Sequence, residues 1–172
     1  MIRLIRPTAE FKARALQVKR EFYDAGESVI NGSELLDHTD DYDKWLTNVT
    51  RNSSAGTVST DWVMTDTFFA VDDRDKIVGI IDLRHTLNDF LKDLGNCGYS
   101  VCPSEMGKGY ATEMLRQLIS MAREAGITEL HLSVERGNMP SARTIVKNGG
   151  VYERSFEFEG VDADIYRIAL RP

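Results

Sequence analysis

Apolar residues recur along this chain at two spacings, helical near the start and strand-like through the middle. Phe11, Ala15, Val18 and Phe22 share one face of a helix predicted over Ala9 to Ala25, with Thr8 placed as its N-cap and Gly26 as its stop. Tyr42, Trp45, Leu46 and Val49 mark a second helix from Tyr42 to Arg51. Ile2 to Ile5, closed by Pro7, reads as a first strand at or near a sheet edge. Thr67 to Val71 and Lys76 to Arg84 flank the polar turn Asp72 to Asp75 and form an antiparallel hairpin, with Trp62-Val63-Met64 before it as a short extended piece or cleft wall. A connection from His85 to Leu94 leads to a strand from Asn96 to Val101.

Further on, Leu130, Leu132 and Val134 alternate with Glu129, His131 and Ser133, the signature of a half-buried strand. Because it follows a strand and then a helix, its natural partner is the Asn96 to Val101 strand, in parallel. Ser141 to Lys147 makes a short helix that tolerates Pro140 in its first turn, and Gly149-Gly150 ends it. Val151 to Phe158 and Ala163 to Leu170, joined by Gly160-Val161-Asp162, close the chain as a hairpin. Strands in the middle with helices on either side predict a mixed α/β (α+β) layout rather than regular βαβ winding.

One stretch carries chemistry. A strand ending at Val101 is stopped by Pro103, and the glycine-spaced turn Gly107-Lys108-Gly109-Tyr110-Ala111 opens a helix whose face is Ala111, Met114, Leu115, Leu118 and Ala122, reaching Ala125 before Gly126. The first N–H groups of a helix lack internal partners, and the helix dipole favours negative charge there. Glycines at 107 and 109 let an anion approach the backbone, and Lys108 adds a mobile cation. The same glycines would equally serve a turn that needs them for shape alone.

The turn, read as Met106-Gly107-Lys108-Gly109-Tyr110-Ala111, resembles the Gln/Arg-x-x-Gly-x-Gly/Ala motif of the Gcn5-related N-acetyltransferases. Val101-Cys102-Pro103 before it and Asn138-Met139-Pro140-Ser141 after it match the same family in the same order, and the likeness is best from Phe68 to Arg154. Met106 departs from the pattern, which costs one side-chain contact to the cofactor. The resemblance implies a single N-acetyltransferase domain over residues 1–172, with a central mixed sheet of about six to seven strands, splayed in the middle, and about four helices.

It also implies acetyl-coenzyme A as co-substrate and a possible homodimer. The pyrophosphate would lie on the backbone of Gly107, Lys108, Gly109, Tyr110, Ala111 and Thr112, and the pantetheine arm would bond backbone groups of Tyr99, Ser100 and Val101. Asn138 would contact the cofactor with Ser141 beside it, and the Val101 N–H would polarise the acetyl carbonyl. No acid or base carries over, because Ile145 and Ser133 stand where family members place Tyr or Glu. From the residues themselves the candidates are Tyr99, Asp82, Glu135 and Tyr152, each with a packing or surface alternative. The activity expected is acetyl transfer to a primary amine of a small molecule or peptide; the alternative is a non-catalytic acyl-coenzyme A sensor. A dinucleotide-binding redox protein is excluded, since the turn lacks the βαβ unit with its acidic residue.

Composition narrows the partners. The 172 residues suffice for a hydrophobic core, and a net charge of -6 argues against a nucleic-acid partner held by charge, favouring a cationic or neutral acceptor. Asp37, Asp40, Asp41 and Asp43 are either a solvated approach to a helix or an acidic rim that attracts an amine. Cys97 and Cys102, five apart on a strand, point to opposite faces and read as the free thiols of a cytoplasmic protein. No apolar run reaches the ~20 residues of a membrane helix, Met1 to Pro7 does not read as a signal peptide, and His38, His85 and His131 are too scattered for a metal site.

Overall fold

The computed structural model describes residues 1–171. Its elements, in order, are β1 (Arg3–Ile5), α1 (Lys12–Asp24), α2 (Tyr42–Asn52), β2 (Thr65–Val71), β3 (Ile77–Arg84), β4 (Tyr99–Val101), α3 (Tyr110–Glu124), β5 (Glu129–Glu135), α4 (Met139–Lys147), β6 (Val151–Phe158) and β7 (Val161–Ala169). Strands β1-β2-β3-β4 form one antiparallel sheet, and β5-β7-β6 form a second. All of β2 and nearly all of β3 are buried, which is why both read as continuous apolar runs. Alternation along them serves two cores. Phe68, Ala70, Val78 and Ile81 face α3, β5 and α4, whereas Phe69, Val71, Ile77 and Ile80 face α1 and α2. Cys97 and Cys102 fall in different cores, both buried and both free.

Local chemistry explains most boundaries. Phe11, Ala15, Val18 and Phe22 are all buried, and Gly26 ends that helix in the left-handed region at φ 83°. Asp41 caps α2 by accepting the Lys44 N–H at 3.0 Å. Thr8 differs from expectation. Its side chain caps nothing; instead its carbonyl accepts the Phe11 N–H and the Tyr42 hydroxyl, and a single 3-10 turn precedes α1. The last hairpin turns at Glu159-Gly160, with φ of 51° and 80°, two residues earlier than the glycine alone suggested, since such tight turns need both central residues left-handed.

The expected parallel pairing of β5 with the Asn96 to Val101 strand is not formed. β5 takes its ladder from β7, antiparallel along its whole length, because the terminal hairpin inserts beside it. The two sheets meet only at one end, at an isolated bridge between Gly95 and Leu132. Gly95 has φ 88°, and a Cβ there would lie 2.3 Å from the His131 carbonyl oxygen. Next to it Asn96, 5% exposed, joins the sheets with main chain and side chain together. Its N–H donates to the His131 carbonyl at 2.7 Å, its Oδ1 accepts the His131 N–H at 2.9 Å, and its Nδ2 donates to the Arg84 carbonyl at 3.0 Å. Beyond this clamp β4 and β5 share no ladder.

Asn96→Ala removes both side-chain bonds and strands the buried His131 N–H and Arg84 carbonyl. The expected cost is about 2–4 kcal/mol of unfolding free energy by chemical denaturation. A cost under about 0.5 kcal/mol would show that water replaces the amide without loss.

Candidate functional site

Three features surround β4. The first is the start of α3. Gly107 and Gly109 adopt φ of 78° and 81°, and a Cβ on either would meet nothing within 4 Å. Their need for glycine is therefore conformational, and it leaves the surface above the turn open. Glu113 is the first residue at this end of α3 whose N–H finds a backbone acceptor, at Gly109; the amides of residues 107–112 have none among the described residues. The turn is pinned from behind. Ser104 N–H donates to Glu21 of α1 at 2.7 Å, and buried Glu105 accepts from both Lys76 and Lys108. Lys108 is thus tied to Glu105 at 2.7 Å rather than mobile.

The second feature is the free edge of β4. Cys102 N–H donates to the Val78 carbonyl and Asp82 N–H to the Gly98 carbonyl, so in the alternating antiparallel pattern Ser100 exchanges bonds with Ile80. Ser100 therefore spends its backbone groups on β3, contrary to the expectation that it would offer them to a ligand. Tyr99 and Val101 turn theirs outward, toward the opening between the sheets. Across that opening the Tyr99 hydroxyl meets Ser141 Oγ of α4 at 2.7 Å, and burial pushes this phenol well above its ordinary range. Asn138 caps α4, accepting the Ser141 N–H at 3.3 Å. One hydroxyl pair and one cap thus brace the far wall.

The third is a cavity of about 880 Å³ on the α1–α2 side, bounded by Trp45, Trp62, Phe90, Arg84 and the 29–35 loop. Asp82 is not the solvent-facing strand residue of one sequence reading: it is 0% exposed, accepts the Gly98 N–H at 2.6 Å through Oδ1, and holds Arg84 Nη2 at 3.1 Å through Oδ2. Glu34 of the loop joins them, its Oε1 3.8 Å from the same nitrogen. Burial and the neighbouring Asp82 carboxylate push the Glu34 carboxyl from 4.5 up to about 8, against the pull of Arg84.

The chain matches the model of the acetyltransferase (GNAT) domain over residues 9–151. It belongs to that family. Among solved structures, yncA from Salmonella typhimurium, with its cofactor acetyl-CoA, is 18% identical with a TM-score of 0.69, over 99% of this chain and 94% of that one. The microcin C7 self immunity acetyltransferase MccE, in complex with acetyl-CoA and AMP, is 17% identical with a TM-score of 0.70, over 98% and 92%. The spermidine/spermine N-acetyltransferase SpeG from Vibrio cholerae is 13% identical with a TM-score of 0.68, over 98% and 94%. At these identities the likeness is one of fold. No curated protein matches the sequence.

Against this GNAT frame the remaining candidates separate. Glu135 is exposed at the end of β5. Tyr152 lies on β6, the outer strand of its sheet, 55% exposed and bonded to Ser155 Oγ at 2.8 Å. The aspartates of the 37–43 run do not form a rim either. Asp37 accepts the Ile30 N–H at 2.7 Å, Asp40 pairs with Lys19, Asp41 caps α2 and Asp43 pairs with Lys12. Of the two acids that line the cavity, Asp37 is spent on the Ile30 N–H, and the other is Glu34, which no sequence spacing singled out. Its only local mark is the preceding Gly32-Ser33 turn.

A folded-state pKa above the unfolded one means that between these values the native state holds a proton the unfolded chain has released, so stability falls as pH rises from 4.5 to about 8. Denaturant melts through that window should show this decline in the wild type and a flatter profile in Glu34→Gln. Identical slopes would place the carboxyl in water instead.

Proposed function

We propose that this chain transfers the acetyl group of acetyl-coenzyme A to a primary amine of a small molecule or peptide. The observation that carries the reading is the pairing of unpartnered amides at residues 107–112 with an unladdered strand edge beside them. Amides at a helix start suit a diphosphate, and an edge that offers N–H and C=O groups suits the amides of a pantetheine arm laid along it. Gly107, Lys108, Gly109, Tyr110, Ala111 and Thr112 are assigned to the diphosphate, Tyr99 and Val101 to the arm. Asn138 and Ser141 line the opposite wall. Bound acetyl-CoA in yncA and MccE supports the choice of co-substrate, and the N-acetyltransferase activity named for SpeG supports the amine.

Acyl transfer needs a neutral amine held against the thioester carbonyl and a donor for the oxygen on which charge develops. The outward N–H groups of Val101 and Tyr99 are the donors this chain offers. The cofactor supplies an activated acetyl group; the protein supplies position, a dry wall and the amide dipoles.

Calorimetry of the wild type and Gly109→Asp with acetyl-CoA tests the assignment. A carboxylate beside the diphosphate should weaken binding at least about 100-fold, through like-charge repulsion, while the left-handed strain costs about 1–2 kcal/mol of stability. Retained affinity would reduce the turn to a shape. A free-thiol assay completes the test: acetyl-CoA binding with no amine-dependent thiol release would make the protein an acyl-coenzyme A sensor.

A further inference from the structure

Resting on the acetyl-transfer reading, we propose that Glu34 receives the acceptor amine on the cavity floor and takes its proton before attack, with Asp82 and Arg84 as positioning residues. Trp62 Nε1, Asp82 Oδ2 and Arg84 Nε are all buried and make no well-aligned hydrogen bond among the described residues. Trp62 Nε1 and Asp82 Oδ2 face the Glu34 carboxyl, Asp82 Oδ2 keeps its ion pair with Arg84 Nη2, and Arg84 Nε is left over. Such weakly satisfied groups are few in folded proteins and are where water, an ion or a polar ligand group bonds. The Glu34 side chain is itself only 10% exposed, and Arg84 stands beyond hydrogen-bond reach of it at 3.8 Å, turned instead to Asp82. A primary ammonium brings three donors and a positive charge, which suits the Glu34 carboxyl at the cavity wall with the Asp82 carboxylate buried behind it. The indoles of Trp45 and Trp62 and the ring of Phe90 bound the same cavity and suit a cation on an apolar stem.

The backbone is strained at this residue. Glu34 and Leu35 both adopt left-handed φ, 49° and 69°, although neither is glycine. Trp45 Nε1 holds the turn by donating to the carbonyls of Ser33 and Glu34 at 2.8 and 3.1 Å. Strain kept in place by a buried indole is typical of functional loops.

Asp82 Oδ1 is bonded to the Gly98 N–H, and Gly32 lies so close that a Cβ there would be 2.3 Å from the Gly98 oxygen. Ser100 Oγ bonds the Asn31 carbonyl at 2.9 Å. The loop bearing Glu34 is therefore fastened to β4 one residue from Tyr99, where the free edge begins. The charged groups nearest Glu34 are Asp82 and Arg84 of β3; Asp37 and His38 of the turn that follows and Lys44 and Arg51 of α2 line the same cavity, with Trp45 of α2 and Trp62 of the loop before β2 as its uncharged wall. Burial and Asp82 raise its proton affinity to about pH 8, toward that of an alkylamine, which makes proton transfer between them less uphill.

The step balances. The Glu34 carboxylate takes one proton from the ammonium; the amine nitrogen then forms the C–N bond as the C–S bond breaks and the thiolate leaves with the electron pair. Of the two remaining nitrogen protons one stays on the amide and one reaches the thiolate through water, and Glu34 returns its proton to solvent. Ammonium and thioester become amide, thiol and one released proton.

The test measures acetyl-CoA affinity and amine-dependent thiol release for wild type, Glu34→Gln and Asp82→Asn, with melting curves for each, using phenethylamine, putrescine and an alanine-initiated tripeptide. Glu34→Gln should keep the acetyl-CoA Kd within about twofold yet lose at least about 100-fold in kcat/KM for the amine. The wild-type rate should climb with pH toward about 8, since the carboxylate is the working form; that limb should vanish in Glu34→Gln and move to lower pH in Asp82→Asn. Wild-type rates in Glu34→Gln, or an unmoved limb, would overturn the assignment. So would a wild type that binds acetyl-CoA and releases no thiol with any of the probes. Failure of the wild type to bind acetyl-CoA would instead overturn the reading beneath it. Should Asp82→Asn fail to fold, Glu34→Gln, which preserves shape and removes a buried charge, decides alone.

Discussion

Asn96 makes the bonds that a longer ladder would otherwise supply, and it makes them at one end only. Side chain and main chain together tie Arg84 of one sheet to His131 of the other, while Gly95 permits an approach that no Cβ would allow. Because the tie is terminal, β4 and β5 diverge beyond it. The outward polar groups of Tyr99 and Val101 have no strand partner among the described residues. A strand edge without a partner is usually a hazard for aggregation; here it lies between two sheets and beneath α4, where the Tyr99–Ser141 hydroxyl contact spans the space.

Charge is divided across β4 in the same economical way. On one side, the start of α3 presents amide hydrogens and the positive end of a helix dipole, with nearby Glu105 already neutralised by Lys76 and Lys108. On the other, β3 turns Arg84 toward the cavity with Asp82 buried beside it, and the loop before α2 adds Glu34. Strand alternation explains the separation. Asp82 and Arg84 share a face of β3 with Ile80, toward α1 and α2, whereas Ile81 and Leu83 face α3. A helix start rich in free amides and a pocket holding two acidic side chains thus flank one strand without meeting.

The acidic residues of the 29–43 region show how partner choice changes meaning. Asp37, Asp40, Asp41 and Asp43 look alike in sequence, and each is consumed by a backbone amide or a lysine. Glu34 differs because its neighbours are another carboxylate, an arginine already engaged elsewhere and a buried indole. Its high proton affinity follows from that company and from burial, not from any property of the loop's composition.

Much of this was written in local pattern. The helix faces, the central hairpin, the glycine turn and the alternation of β5 follow from spacing, because those elements are set by neighbours three, four or two residues away. So was the row of unpartnered amides at Gly107–Thr112, since the first N–H groups of a helix have no acceptor within it. What tertiary structure alone decided was pairing and proximity. β5 chose β7 over β4 because a hairpin from the end of the chain slid in beside it, and Ser100 rather than its neighbours spent its backbone on β3. Glu34, Trp62, Asp82 and Arg84 come from three separated stretches of chain. Their meeting depends on the Gly32–Gly98 contact and the Trp45 hydrogen bonds, and long-range packing of that kind leaves no period in the sequence to read.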